Sequence, residues 1–309
     1  MARLVDRAIV RLLPAVPKPI IRKISARYIA GRTLADATRV VAALNAAGKL
    51  ATVDVLGEHH ESLDQAREVV RAYDDVFDAI ERERLDSNVS VKLTALGLNV
   101  SYEVCLENLA AVVRHAAASG NFVRIDMEES RWTSATLRAY RELRERGYDN
   151  VGVVLQARLR RTLRDIHSLA DLSPNVRLCK GIYLEPDLVA FQGYQEIRDA
   201  FVAALHLLLS GGSYVGIATH DEWLLERSLE RVAGLGREQY EFQMLLGVRE
   251  LRGDRLVRDG HRLRIYVPFG RSWYAYALRR LQENPRIAGY IASDTLGRIF
   301  GPNGSASRS

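Results

Sequence analysis

Eight short runs of apolar and β-branched residues, separated by amphipathic stretches, are spread over roughly 250 residues of this 309-residue chain; that arithmetic predicts an α/β protein whose parallel strands close into a (β/α)8 barrel. Two further observations agree. Each run ends near a polar side chain, where barrels of this kind keep their chemistry, and no GxGxxG turn occurs anywhere in the chain. The competitor, an open doubly wound sheet, would carry such a turn after its first strand.

Residues 1–50 are basic and apolar without strand signals, and Pro14, Pro17 and Pro19 interrupt them, so an N-terminal arm of short helices is expected there. The barrel is expected over 51–300. Its strands are predicted at 51–56 (ATVDVL), 89–94 (VSVKLT), 122–127 (FVRIDM), 151–156 (VGVVLQ), 176–180 (VRLCK), 214–219 (YVGIAT), 240–245 (YEFQML) and 263–267 (LRIYV). Between them, apolar residues at helical spacing predict helices at 61–84, 102–118, 134–145, 160–170 and 222–232. The closing PNGSASRS is small and polar, and 301–309 is expected to be disordered.

With 48% hydrophobic residues and 27% charged, the composition excludes a disordered or fibrous chain. The 44 Lys+Arg exceed the 38 Asp+Glu, but acids interleave with the bases, as in ERERLD, which favours a mixed solvated surface over a nucleic-acid patch. Cys105 and Cys179 are far apart and lack CxxC spacing, so neither a disulfide framework nor a zinc site is predicted. No apolar run reaches the length of a spanning helix, and no signal pattern opens the chain. A cytoplasmic protein is expected, with RAIVRLL and PIIRKISARY as the segments that could meet the inner face of a membrane.

The polar residues expected at the barrel mouth are Glu58, Lys92, Asp126, Glu128, Gln156, Arg177, Lys180, Thr219, His220, Asp221, Glu241, Gln243 and Tyr266. Lysine is scarce in this arginine-rich chain, and Lys92 and Asp126 each sit among apolar neighbours of alternating face. Such groups are seldom buried unpaired, so a Lys92–Asp126 pair is expected, either topping the core or serving a site. In RSWYAYALRRLQEN, Tyr276, Arg279, Arg280 and Glu283 share one side of a helix. Two adjacent arginines there are either solvated or, over a barrel mouth, a carboxylate clamp. His220 reads equally as a satisfied core histidine, a base or a cofactor contact; no second histidine stands at ligand spacing, and no GxSxG turn is present.

The ordered series DVLGE, SVKLTALG, RIDMEES, VGVVLQAR, VRLCKGIY, IATHD, YEFQMLLGVR, YVPFGRSWYAYALRR and QEN resembles the proline dehydrogenase family over residues 51–284, in its monofunctional bacterial form. The resemblance implies a distorted barrel that holds FAD without a Rossmann fingerprint, with the last helix over the mouth. It implies oxidation of L-proline to Δ1-pyrroline-5-carboxylate, hydride passing from C5 to the flavin and electrons onward to a membrane quinone, as the first step of proline catabolism.

By motif match, Lys92, Arg279 and Arg280 would hold the proline carboxylate, and Tyr183, Leu245, Tyr266 and Tyr276 would wall the ring. Asp126 would orient Lys92. Gln156, Arg177, Gly181, Thr219 and His220 would contact FAD, and Glu58 and Glu283 would latch the lid. No metal is implied, and the general base is unassigned. Ile182 and Leu184 depart from the alanine and large residue common in relatives. Two rivals are a Schiff-base aldolase using Lys92 or Lys180, which would be colourless, and a binding module for anionic lipid or nucleic acid, whose affinity would be strongly salt-dependent.

Overall fold

The structure is a computed structural model, and it describes residues 27–57 and 62–274. Eight parallel strands close in sequence order: β1 (Leu50–Val55), β2 (Ser87–Val91), β3 (Val123–Ile125), β4 (Val151–Gln156), β5 (Asn175–Cys179), β6 (Tyr214–Ala218), β7 (Tyr240–Leu245) and β8 (Leu263–Phe269). Closure comes from β8 pairing with β1, Thr52 opposite Tyr266. The expected barrel is present. Strands β4 and β7 match their predicted bounds, whereas β3 keeps only three residues, so Asp126 stands just past its end and Lys92 just past the end of β2.

The helices are α1 (Leu34–Ala46), α2 (Leu63–Glu83), α3 (Tyr102–Ala118), α4 (Ser130–Glu145), α5 (Thr162–Leu169), α6 (Tyr194–Ser210), α7 (Glu222–Val232) and α8 (Glu250–Arg258). Their starts follow local chemistry. Thr33 and Asp36 close a capping box before α1, and the Ser62 and Ser101 hydroxyls accept backbone N–H groups at the starts of α2 and α3. Each such cap contributes about 1 kcal/mol. Among the described residues no helix is long and apolar enough to cross a membrane.

Alternation along the strands divides the molecule in two. Outward residues such as Val53, Val91, Ile125, Val153, Leu178, Ile217, Phe242 and Val267 are buried against helix residues including Val69, Tyr73, Leu109, Leu143 and Phe201. That apolar shell is the core. The inward set is polar instead: Thr52, Asp54, Ser90, Arg124, Arg177, Glu241, Gln243 and Arg264 are all buried. Barrel interiors are ordinarily filled by branched apolar side chains. Here hydrogen bonds fill that role, and two glycines make the room. A Cβ on Gly152 would strike the Arg124 guanidinium, and one on Gly216 would strike the Gln243 amide.

Candidate active site

At the C-terminal end of the barrel the inward polar residues join into one connected cluster. Lys92 Nζ lies 2.9 Å from both carboxylate oxygens of Asp54, 3.4 Å from the Tyr266 hydroxyl and 3.7 Å from Asp126 Oδ2. The expected Lys92–Asp126 contact therefore exists, but it is the longest of the set. Asp126 is held by others: the Tyr266 hydroxyl donates to its Oδ2 at 2.7 Å, Arg177 Nη1 to its Oδ1 at 2.7 Å, and Ser90 Oγ to Oδ1 at 3.0 Å.

Arg177 also donates from Nε to Gln243 Oε1, and its guanidinium lies 5.3 Å from the centre of the Tyr266 ring. Gln243 donates onward to Glu241 at 2.6 Å, which Arg264 also approaches at 2.7 Å. Burial pushes the Glu241 carboxyl up, but the Arg264 charge and the hydrogen bonds from Arg264 and Gln243 outweigh it and hold Glu241 below the usual carboxylate range. Deeper still, burial and the Arg177 charge push Arg124 down to about 9. The hydrogen-bonded chain thus runs from Asp126 at the mouth through Arg177, Gln243 and Glu241 to Arg264, while Arg124 bonds Asn175 and the Val153 carbonyl beside it.

Around this cluster the predicted cofactor residues are brought to one rim. Gln156, at the end of β4, donates through Nε2 to the Glu128 carbonyl at 2.8 Å. Its Oε1 faces Gly181, where an added Cβ would come within 2.6 Å and where φ is +94°, a backbone conformation suited to glycine. Glu128 is itself locked to Thr94, whose backbone N–H donates at 3.1 Å. His220 Nε2 accepts the Leu245 N–H at 2.9 Å, so the proton of the neutral ring sits on Nδ1. Thr219 is buried and accepts the Asp221 N–H through its hydroxyl.

Of the residues expected to wall a ring, two are shown as neighbours. Leu245 pairs in register with Tyr266 across β7 and β8. Tyr183 lies half-buried in the loop after β5, its carbonyl anchored by Arg158 Nη1 at 2.7 Å. Ile182 and Leu184 of that loop are exposed. Glu58, Tyr276, Arg279, Arg280 and Glu283 lie outside the described residues, as does most of the predicted N-terminal arm.

A second anchoring point holds the rim together. Asp221 accepts Lys180 Nζ at 3.0 Å, the Tyr194 hydroxyl at 2.7 Å and Arg198 Nη2 at 2.6 Å, tying β5, α6 and the start of α7. Burial pushes the Asp221 carboxyl up, and these three donors overcome it and hold the group well below the ordinary range. Lys180, one of the two rival Schiff-base candidates, is thus committed to an aspartate.

Sequence reading missed Asp54. The polar residues picked out by the barrel argument stand at strand ends, whereas Asp54 sits inside β1, flanked by valines. The signal was present, since an aspartate in a buried strand requires a partner. Cys105 is buried, its thiol pushed up to about 12 by burial, and offers no nucleophile.

Comparison with known proteins follows the same lines. The family profile described as Proline dehydrogenase matches residues 37–292. Proline dehydrogenase 1 of Bacillus subtilis subsp. natto is 37% identical over 272 residues, 87% of this chain and 90% of its own length. The Deinococcus radiodurans proline dehydrogenase is 35% identical over 279 residues, 87% of this chain and 89% of its own. Among solved structures, proline utilization A from Bdellovibrio bacteriovorus, inactivated by N-propargylglycine, shares the fold with a TM-score of 0.80 at 24% identity, over 98% of this chain and 38% of that one. A profile that spans all eight strands, and relatives matched along nearly their whole length, lead to one conclusion: the chain belongs to the proline dehydrogenase family.

Proposed function

We propose that this protein oxidises L-proline to Δ1-pyrroline-5-carboxylate, the first step of proline catabolism, with FAD as its cofactor and a quinone as the final electron acceptor. The observation that carries the reading is the cluster Asp54, Lys92, Asp126, Arg177 and Tyr266, which presents fixed charge and an aromatic ring at the barrel mouth of a chain in this family.

The residues present fit a flavin. Arg177 is a buried cation fixed by three hydrogen-bonding partners, Gly181 leaves close backbone approach open beside Gln156, and Thr219 and His220 continue the same rim. FAD would supply the hydride acceptor, a role that no amino-acid side chain fills. In this reading Gln156, Arg177, Gly181, Thr219 and His220 hold the cofactor, and a guanidinium favours an electron-rich reduced ring beside it.

Substrate handling falls to the rest. Lys92, with Arg279 and Arg280, binds the proline carboxylate; Tyr183, Leu245, Tyr266 and Tyr276 confine the ring and fix C5. Asp126 keeps Tyr266 and Arg177 in place. Orientation carries most of the rate, because hydride transfer needs a short, aligned approach and no nucleophile. The proline ammonium proton leaves to solvent or to a base before or as the C5 hydride departs. Glu58 and Glu283 serve as partners of these arginines, and the basic N-terminal segment brings the protein to the membrane surface where a quinone is found.

The test is product identity. Protein incubated with L-proline and a soluble quinone analogue should yield a compound two mass units lighter than proline, in proportion to quinone reduced. Quinone reduction without that product, or no turnover with flavin bound, contradicts the reading.

A further inference from the structure

A lysine ammonium has three N–H donors. At Lys92 two of them meet the two oxygens of Asp54 at 2.9 Å, and the third faces the Tyr266 hydroxyl at the long distance of 3.4 Å. Asp126, the partner expected from the sequence, already receives Tyr266, Arg177 and Ser90. Asp54 is fully buried, and Lys92 nearly so. Building on the proline-oxidising reading, we propose that Asp54 is the positioning residue of the substrate-carboxylate site, fixing the Lys92 ammonium by two short bonds and so setting the direction it presents to the carboxylate.

Two consequences follow from counting charges. Among the described residues, Asp54 and Asp126 are the acids and Lys92 and Arg177 the bases that meet here, so these four charges balance. Lys92 therefore gives the carboxylate direction more than net charge. The weak Tyr266 contact is the one that yields, which couples carboxylate binding to the position of the ring-wall tyrosine. Among the described residues, the charged and titratable groups around Lys92 include Asp54 from β1, Asp126 after β3, Arg177 from β5, Tyr266 from β8 and Tyr73 from α2. Behind the wall, Tyr73 of α2 donates to the Ser90 carbonyl.

The experiment uses the flavin-loaded protein and begins with anaerobic bleaching of the wild type by L-proline, so that a failure of the activity itself is seen first and separately. Asp54→Asn keeps the shape and removes the charge. It should stay yellow with kcat within about threefold of wild type, while the KM for proline rises about tenfold or more. The alkaline limb of kcat/KM should move to lower pH, because the ammonium has lost its counter-charge. Its effect should be absent in a Lys92→Met background, since a residue acting through another is not additive with it. An unchanged KM and alkaline limb, or full additivity with Lys92→Met, overturns the proposal. Where Asp54→Asn does not fold, the pair Asp54→Asn with Lys92→Met, which buries neither charge, takes its place against Lys92→Met alone, and a wild-type KM in Lys92→Met overturns the proposal by itself.

Discussion

Arg177 donates to Ser90, Asp126 and Gln243 and lies over the Tyr266 ring, so its guanidinium is held in one orientation by the protein alone. Arg177→Ala should shift the visible spectrum or lower the reduction potential of the bound flavin, because a fixed cation beside the reduced ring is lost; wild-type values for both would remove it from the flavin site. Tyr266 stands between Lys92 and Asp126 and crowds the space beside Leu245. Tyr266→Ser should raise the ratio of kcat/KM for 4-hydroxyproline over proline severalfold, read by steady-state kinetics on both substrates; an unchanged ratio counts against this gate. Both residues were legible in the sequence as inward polar positions near strand ends. The pairing was not. Alternation tells which face a side chain takes, but the choice of Asp54 over Asp126 for Lys92 depends on the stagger between strands, which only closure of the barrel fixes.

At the scale of elements, the strands were readable because buried parallel strands are continuous apolar runs, and β4 and β7 match residue for residue. Strand β3 was overread: the polar, bend-forming residues after Ile125 turn the chain to lock Glu128 onto Thr94. The polar barrel interior was only partly visible, since Arg124 and Arg264 resemble surface residues in a sequence rich in arginine. Two glycines leave room for this interior, Gly152 beside Arg124 and Gly216 beside Gln243. Gly216→Ala should lower the melting temperature by several degrees, since its methyl would displace Gln243 and loosen Arg177. Differential scanning calorimetry checks this, and a wild-type melting temperature would show that the interior gives way freely. Alanine at Gly234, where the added Cβ meets nothing but φ is positive, provides the strain-only control.

Over the whole molecule, the rim is held by charge as well as by the apolar shell. The folded-state pKa of Asp221 lies below its unfolded value, so its stabilising contribution is complete above the unfolded carboxylate value of about 3.9 and fades as pH falls below it. Asp221→Asn should therefore melt earlier than wild type at pH 7, and the gap should narrow at pH 3. A gap that stays constant across that range would mean the Lys180, Tyr194 and Arg198 contacts act by hydrogen bonding without charge. The barrel and the family were legible across the eight strands because alternation and motif order are properties of the chain. The charge network was not, because it joins residues as far apart as Asp126 and Tyr266.

The proposed function stands on hydride transfer from proline to a bound flavin. Its most direct test is the visible spectrum of the purified protein, recorded anaerobically before and after addition of L-proline and again with proline deuterated at C5. Flavin bands should bleach on addition, and bleach several times more slowly with the deuterated substrate. A protein that stays colourless when FAD is supplied, or a flavin that proline does not reduce, would contradict it.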